Sequence, residues 1–263
     1  MNYKGIVFFD YDGTLADEEE GIFSPTKETC QAIKKMSENG YLSVLATGRA
    51  KCYAPQMDID FGGYVTSNGA YAEVMGKPVF ESYVPIRDIK EFSKRLDELG
   101  VFYSYENQEK CFANDKNAPV FSNMLTNFKI RSDVFFPKEE GCEKNISKML
   151  IAHPDISVFE MLQEEFRGRL VIEKHRSYTS ADVGLGGISK AVGARALAKA
   201  LNISKENLYA FGDGVNDYEL FKFVGHPIAM GHHAIVLEEC AEYITETVKN
   251  EGIKKGLLYF GLI

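Results

Sequence analysis

The chain has 263 residues, of which 45% are hydrophobic, enough to build one large domain or two modest ones. Its 38 acidic residues outnumber its 30 basic ones, and the net charge of -8 without a dense basic run disfavours nucleic-acid binding. The five cysteines are scattered and never form a C-x-x-C pair, which predicts reduced thiols in the cytoplasm. No apolar run is long enough to span a membrane, and the first is too short for a signal sequence.

The first predicted element is a buried strand that ends in two carboxylates. The apolar run Ile6-Val7-Phe8-Phe9 is typical of a central strand in a parallel sheet, and it leads into Asp10-Tyr11-Asp12-Gly13-Thr14. Since α/β proteins bind ligands at the carboxyl ends of such strands, the acids stand where a site is expected. Two neighbouring carboxylates need a shared proton or a cation, and Mg²⁺ would meet that need. Taken alone, the segment could also be an ordinary Asp/Gly turn.

The second strand pattern leads into a candidate anion site. Residues 42–46 are largely apolar and are followed by Thr47, Gly48 and Arg49. Thr47 offers a hydroxyl donor, Gly48 allows close approach of the backbone, and the guanidinium of Arg49 matches phosphate or carboxylate. The segment therefore predicts phosphate binding, with an ordinary surface arginine as the alternative.

The middle of the chain has a different pattern from its ends. Alternating aromatic and polar residues in 101–114 predict a β-hairpin, and 148–153, 155–166 and 170–173 predict a strand, a helix started by Asp155 and a strand. This is α+β, whereas the ends alternate strand and helix as in a doubly wound parallel sheet. We therefore predict a discontinuous α/β, Rossmann-like core of residues 1–82 and 185–263, with an α+β cap inserted at 83–184.

A helix is predicted directly after the cap. Residues 190–201 are rich in alanine and have helical apolar spacing, and Ser189 is the natural N-cap. Lys190 then lies in the first turn, where the helix dipole disfavours a cation unless an anion is bound nearby. The pattern predicts either a phosphate-binding lysine or an exposed one that tolerates a small penalty.

A second acidic cluster repeats the order of strand and then acids. The apolar run 208–211 precedes Gly212-Asp213-Gly214-Val215-Asn216-Asp217. Asp213 and Asp217 are four residues apart, so a helix that begins here would turn both carboxylates the same way. Short oxygen ligands suit Mg²⁺, and no His/Cys set at zinc spacing competes with them. By itself, the segment could also be a solvated loop.

In this order, the four segments resemble the four motifs of the haloacid dehalogenase superfamily, and in particular its Cof-type sugar-phosphatase branch. The resemblance extends to Ser24-Pro25, which would open a helix, and to 67–70, 228–231 and 241–245, and it fades between 83 and 184. Two departures are Tyr11, where an aliphatic residue is common, and His232-His233, where an asparagine is usual. The sequence assigns no role to the two histidines.

The resemblance implies a Mg²⁺-dependent phosphatase that acts on small phosphorylated metabolites such as sugar phosphates, with specificity set by the cap. Asp10 would attack phosphorus and form an aspartyl-phosphate, and Asp12 would serve as general acid and base. The metal would be held by Asp10, the backbone carbonyl of Asp12 and Asp213, with Asp217 supporting them. The residues that would bind phosphate or substrate are Thr47, Gly48, Arg49, Asn68, Lys190 and Asn216.

Other functions are compatible with the same residues. A phosphotransferase such as a phosphomannomutase shares the four motifs, and a non-enzymatic phospho-acceptor module shares the acids and the lysine but has no inserted cap. A dinucleotide-binding protein is disfavoured because Gly184-Leu185-Gly186-Gly187-Ile188-Ser189 lacks the third glycine. The sequence predicts neither the physiological substrate nor the oligomeric state.

Overall fold

The computed structural model describes residues 3–175 and 179–263. In chain order, its strands are β1 (Gly5–Phe9), β2 (Tyr41–Ala46), β3 (Gly63–Thr66), β4 (Tyr71–Val74), β5 (Lys77–Glu81), β6 (Phe102–Glu106), β7 (Cys111–Ala113), β8 (Phe135–Pro137), β9 (Lys148–Ala152), β10 (Leu170–Lys174), β11 (Ser180–Leu185), β12 (Leu208–Gly212), β13 (His226–Ala229) and β14 (Tyr243–Ile244). Its α-helices are α1 (Lys27–Glu38), α2 (Ile86–Leu99), α3 (Pro119–Asn127), α4 (Ser157–Glu165), α5 (Lys190–Leu201), α6 (Tyr218–Phe223) and α7 (Gly252–Tyr259). Among the described residues, no helix is both long and apolar enough to cross a membrane.

The chain divides into two compact units. The first comprises Met1–Gly48, Pro55–Glu81 and Ser189–Ile263, and the second comprises Arg49–Ala54 and Ser82–Ile188. The sequence-based cap, 83–184, omits the short segment 49–54. This segment joins the second unit because Tyr53 stacks on Phe135 and its hydroxyl donates to the carboxylate of Glu106 at 2.5 Å.

The first unit is built on an eight-stranded sheet in the order β14-β13-β12-β1-β2-β3-β4-β5. The strands from β14 to β3 are parallel, and β4 and β5 add an antiparallel edge. β1 is fully buried between β2 and β12, and its last residue, Phe9, is in register with Leu45 and Phe211. The predicted α/β fold with a parallel core sheet is confirmed, and the residues after β1, β2 and β12 share one edge of that sheet.

The second unit contains a six-stranded sheet in the order β10-β11-β9-β6-β7-β8. Its pairs are antiparallel except for β7 and β8, and the predicted hairpin is confirmed as β6 and β7. One apolar cluster joins strand residues to α2 and α4 through the aromatic rings of Phe92, Phe159 and Phe166. A second cluster joins other strand residues to α3 and to Tyr53. The strands β6, β7 and β9 in the middle of this sheet are therefore buried on both faces, whereas the edge strands β8 and β10 have exposed residues.

Three helix starts differ in detail from the sequence-based expectation. α1 is capped by Thr26, whose hydroxyl accepts the Thr29 N–H at 3.1 Å, and not by Ser24-Pro25. α4 begins at Ser157, although Asp155 still accepts the Ser157 N–H at 3.0 Å. α5 begins at Lys190 as predicted, but the side chain of Ser189 makes no capping hydrogen bond.

Candidate active site

Three carboxylates of the first unit meet where β1 and β12 end. Asp10 directly follows β1, where its N–H donates to the carbonyl of Phe211 at 3.0 Å, and Asp213 directly follows β12. One oxygen from each of Asp10, Asp213 and Asp217 lies within 4.8 Å of the other two. The fold thus brings together two acidic segments that are about 200 residues apart in the sequence.

Lys190 connects two of these carboxylates. Its Nζ lies 2.8 Å from Oδ1 of Asp10 and 2.7 Å from Oδ1 of Asp217, and the residue is completely buried. Burial alone would lower the pKa of Lys190, but the charges of Asp10 and Asp217 raise it above its ordinary value, so the ammonium stays protonated. The alternative of an exposed surface lysine is wrong.

Both oxygens of Asp217 are engaged. Oδ1 pairs with Lys190, while Oδ2 accepts the backbone N–H groups of Asp213 and Gly214 at 3.1 and 3.0 Å. These bonds close the short 3₁₀ turn Val215–Asp217 that precedes α6. Asp217 therefore orients the loop that carries Asp213, and its support of a bound metal stays a prediction.

The carboxylates carry more negative charge than Lys190 compensates. Burial raises the pKa of Asp10 to about 7, against the opposing effect of Lys190 and with a further contribution from Asp217. Burial and the charges of Asp10 and Asp217 raise the pKa of Asp213 well above its ordinary value. A cation between these oxygens would relieve the repulsion, so the donor set fits a divalent metal that prefers oxygen ligands.

Two residues of the first motif position Asp213. The hydroxyl of Thr14 donates to Oδ1 of Asp213 at 3.0 Å and so holds this carboxylate in place. Gly13 has a φ of +85°, and a Cβ at this position would overlap the carboxylate of Asp213. The segment after β1 therefore needs glycine both for its backbone conformation and for space.

A turn after β3 brings together two predicted ligands. Asn68 lies in this turn with a left-handed backbone (φ 51°), and its Oδ1 accepts the Nδ2–H of Asn216 at 3.2 Å. Its N–H donates to the carbonyl of Thr47 at 3.3 Å, and Thr47 itself is fully buried at the end of β2. The predicted phosphate or substrate ligands Thr47, Gly48, Asn68 and Asn216 thus form one contiguous group in the first unit.

Gly69 is a site residue that sequence reasoning missed. Its φ is +93°, and a Cβ there would overlap the carbonyl of Ser189, the residue before α5. This turn therefore packs directly on the helix start that carries Lys190. A glycine directly after an asparagine is a turn signal, but the sequence does not reveal its contact with a residue 120 positions later.

Arg49 and Asp12 are two predicted site residues whose roles the structure does not test. Arg49 belongs to the second unit, is largely buried, and donates through Nη1 to the carbonyl of Phe128 at 2.9 Å. Asp12 is exposed, and its side chain does not belong to the group of three carboxylates. The role of Arg49 in phosphate binding and that of Asp12 in proton transfer stay predictions.

A second cluster of buried charges lies in the second unit. Lys148 reaches Oδ1 of Asp182 at 2.5 Å and Oε2 of Glu106 at 3.3 Å, and Tyr53 donates to Glu106. Burial alone would raise the pKa of Asp182, but the positive charge of Lys148 holds this pKa below its ordinary value. None of these residues was predicted from the sequence. Glu106, Lys148 and Asp182 are charged positions in buried strands, and Tyr53 lies in the short 3₁₀ turn Lys51–Tyr53.

Fold and site together define a hydrolase of the haloacid dehalogenase type. The model of the haloacid dehalogenase-like hydrolase family matches residues 7–257, and the chain belongs to this family.

Relatives with a named activity agree with this assignment. The chain is 25% identical to the 5-amino-6-(5-phospho-D-ribitylamino)uracil phosphatase of Bacillus subtilis, covering 98% of this chain and 96% of the relative. It is 30% identical, over its full length, to a Streptococcus pyogenes protein whose name proposes phosphatase and peptidyl-prolyl cis-trans isomerase activities, and it spans 56% of that protein. A solved phosphatase of the same superfamily from Bacteroides thetaiotaomicron is 25% identical with a TM-score of 0.82, covering 100% of this chain and 96% of that one. The family and these relatives support a phosphatase enzyme.

Proposed function

We propose that the protein is a Mg²⁺-dependent phosphatase that hydrolyses small phosphomonoesters, such as sugar phosphates, through an aspartyl-phosphate intermediate. The observation that carries the proposal is the position of Lys190, fully buried between Asp10 and Asp217. An ammonium held there favours the charged form of the nucleophilic carboxylate against the effect of burial, and it adds positive charge where phosphoryl oxygens would accumulate negative charge.

In the first step, an oxygen of Asp10 attacks phosphorus as the ester P–O bond breaks, and Asp12 gives its proton to the departing alcohol. In the second step, Asp12 takes a proton from water, whose oxygen attacks phosphorus and releases inorganic phosphate and the Asp10 carboxylate. The exposure of Asp12 supports this role, because the residue must meet both the leaving alcohol and water. The raised pKa of Asp10 makes the neighbouring positive charge essential for the first step.

Mg²⁺ would be held by Asp10, the backbone carbonyl of Asp12 and Asp213, and when bound it supplies positive charge that polarises the phosphoryl group. Asp217 would hold the Asp213 loop through the two backbone N–H groups that it accepts. Thr47, Gly48, Lys190 and Asn216 would bind the phosphoryl oxygens. Asn68 would orient the amide of Asn216, with which it shares a hydrogen bond, and Arg49 stays a candidate ligand of the substrate.

The substrate class is supported by the relatives. The Bacillus subtilis relative is named for a phosphorylated ribitylamino-uracil, and a solved structure of the same fold, 23% identical with a TM-score of 0.84, is titled a sugar phosphatase. Both names describe small organic phosphates.

All five cysteines are thiols in the structure, which supports the cytoplasm as the place of action.

The decisive test is to trap the covalent intermediate. The purified chain is mixed with an aryl phosphate and Mg²⁺, quenched in acid and digested, and peptides are searched by mass spectrometry for phosphate on Asp10, while released phosphate is measured in parallel. We expect phosphate release and a labelled Asp10 peptide, both absent in Asp10→Asn. Phosphate release with no label on Asp10 would contradict the mechanism. Transfer of the label to an added sugar in preference to water would identify a phosphotransferase.

A further inference from the structure

A second group of metal-ligating side chains lies in the first unit, apart from the three catalytic carboxylates. It consists of Asp17, Glu20 and His232, whose ligand atoms all lie within 4.8 Å of one another. The two acids come from the loop after the first motif, and the histidine is one of the two that depart from the family pattern. None of the three takes part in the proposed phosphatase reaction.

Asp17 is fixed and points one oxygen at the histidine. The residue is 7% exposed, and its Oδ1 accepts the N–H groups of Glu19 and Glu20 at 3.0 and 3.1 Å. Its other oxygen, Oδ2, lies 3.9 Å from Nδ1 of His232, which is too long for a hydrogen bond. Two atoms that each bind one metal at about 2.1 Å are at most about 4.2 Å apart, so the observed spacing suits a shared ion.

The backbone on both sides of the group is held in place. Asp17 and Ile22 form a β-bridge that closes the turn carrying Glu20. On the other side, the N–H of Gly231 donates to the backbone carbonyl of Glu246 at 3.0 Å, and the N–H of Ala234 donates to the backbone carbonyl of Asp213 at 2.7 Å. The side chain of His232 is 67% exposed between these anchors, so an ion from solvent can reach it without any change of the backbone.

We propose that Asp17, Glu20 and His232 form a second metal site, which takes a divalent transition ion such as Zn²⁺. One imidazole and two carboxylates leave a coordination position open for water, as in zinc sites with three protein ligands. The imidazole discriminates against Mg²⁺, which prefers oxygen ligands, and so separates this site chemically from the catalytic carboxylates. A bound ion would tie the turn at 17–22 to the loop at 231–234, which is itself bonded to Asp213.

The test is calorimetric titration of the full chain with Zn²⁺ in the presence of excess Mg²⁺, which occupies the oxygen-only site. We expect one Zn²⁺ per chain, bound at least about 100-fold more weakly by His232→Gln, because loss of even an indirect partner of a ligand costs 10–100-fold in metal affinity. His226→Gln is the matched control: His226 is a partly buried histidine paired with a carboxylate, Glu242, and among the described residues it belongs to no group of three metal-ligating side chains. Its Zn²⁺ affinity should equal that of the parent.

A second pair of variants tests the carboxylate side. Glu20→Gln should weaken Zn²⁺ binding, whereas Glu19→Gln, one residue earlier in the same turn, should not. Amide hydrogen exchange should slow in 17–22 and 231–234 when Zn²⁺ is added, and this protection should be lost in His232→Gln. Absence of Zn²⁺ binding by the parent, or equal binding by parent and His232→Gln, would overturn the proposal. Neither readout depends on phosphatase activity, so the proposed function can fail without affecting this result.

Discussion

At the residue scale, the buried ion pairs of Lys190 predict both a chemical and a structural role for this residue. It is the cation that contacts Asp10 and Asp217 in the buried site, and its ammonium has no access to water. Removing a partner from a buried ion pair leaves the remaining charges uncompensated, which costs far more than losing a surface lysine.

We expect Lys190→Ala to lower kcat/KM by about 30-fold or more, which corresponds to about 2 kcal/mol of transition-state stabilisation. The same variant should lose about 3 kcal/mol in the free energy of unfolding, because Asp10 and Asp217 stay buried without their countercharge. Kinetics and urea unfolding measure the two effects. Lys199→Ala, at an exposed position of the same helix, is the control and should change neither. Unchanged kinetics in Lys190→Ala would remove the lysine from the mechanism.

The two leading aspartates should respond differently to the same substitution. Asp10→Asn should abolish turnover, because the amide keeps the shape but loses the nucleophilic charge. Asp12→Asn should lower kcat by about 10²-fold or more through loss of the general acid and base, while Asp10 still becomes phosphorylated by a substrate with a good leaving group. Acid quench and peptide mass spectrometry distinguish the two cases. Near-native rates in Asp10→Asn would show that another residue is the nucleophile.

At the element scale, the turn after β3 positions the start of α5 through a single glycine. Gly69 and Gly76 both have positive φ, of +93° and +73°, but only Gly69 has a neighbour that a Cβ would overlap. This pair separates the cost of backbone strain from that of displacing the helix that carries Lys190.

Gly76→Ala should therefore cost about 1–2 kcal/mol of stability, as expected for alanine in a left-handed conformation, and leave kcat/KM unchanged. Gly69→Ala should cost more and also lower kcat/KM, because its Cβ pushes against the carbonyl of Ser189. Thermal unfolding and steady-state kinetics of both variants provide the comparison. Equal effects on rate would show that the turn does not control Lys190.

The buried charged cluster of the second unit should affect the free energy of unfolding. Lys148 is 3% exposed and pairs with Glu106 and Asp182, which are themselves buried. We expect Lys148→Met to destabilise the fold by about 3–5 kcal/mol, because two carboxylates lose their countercharge. Lys110→Met, which breaks a more exposed pair with Glu139, should cost about 1 kcal/mol or less. Urea unfolding checks both, and a similar small loss for the two variants would contradict the argument.

At the scale of the whole molecule, metal binding should stabilise the folded chain. An ion that binds only the folded state adds about 2.7 kcal/mol at a concentration 100 times its Kd. We therefore expect Mg²⁺ to raise Tm and restore activity after chelation, and Ca²⁺ to support activity poorly, because its longer, looser coordination misplaces the reacting groups. Full activity in excess chelator would contradict the metal proposal.

Asp213→Asn should separate two effects of this carboxylate: it destabilises the metal-free fold, and it is expected to bind Mg²⁺. Because burial and neighbouring charges raise the pKa of Asp213 in the folded state, its ionised form destabilises the metal-free protein at neutral pH. The amide keeps an oxygen that can accept the hydrogen bond from Thr14. Without metal, the variant should therefore be at least as stable as the parent, yet its Tm should no longer rise with Mg²⁺. Calorimetric scans with and without Mg²⁺ test this expectation, and an undiminished Mg²⁺ response would exclude Asp213 as a ligand.

The sequence by itself determined the parallel core sheet and the edge at which the acids meet. Ile6 to Phe9 and Leu208 to Phe211 are apolar throughout, which is typical of a strand buried on both faces, and an acid follows within two residues in both cases. The carboxyl ends of adjacent parallel strands lie at the same edge of the sheet. Local pattern therefore placed each acidic segment after a buried strand, and the family resemblance implied that Asp10 and Asp213 hold one metal; the pairing of β1 with β12 comes from the tertiary structure.

Only the tertiary structure decided the burial and ion pairing of Lys190, the contact of Gly69 with Ser189, and the assignment of 49–54 to the second unit. Each depends on contacts between segments far apart in the chain, and hydrophobic periodicity carries no information about which distant side chain will face a given residue. The same applies to His232: its neighbours Asp17 and Glu20 are more than 200 positions away, so the sequence showed only an unusual histidine. Burial and charge pairing are properties of the folded chain, and they change the chemistry of residues whose local sequence permits several roles.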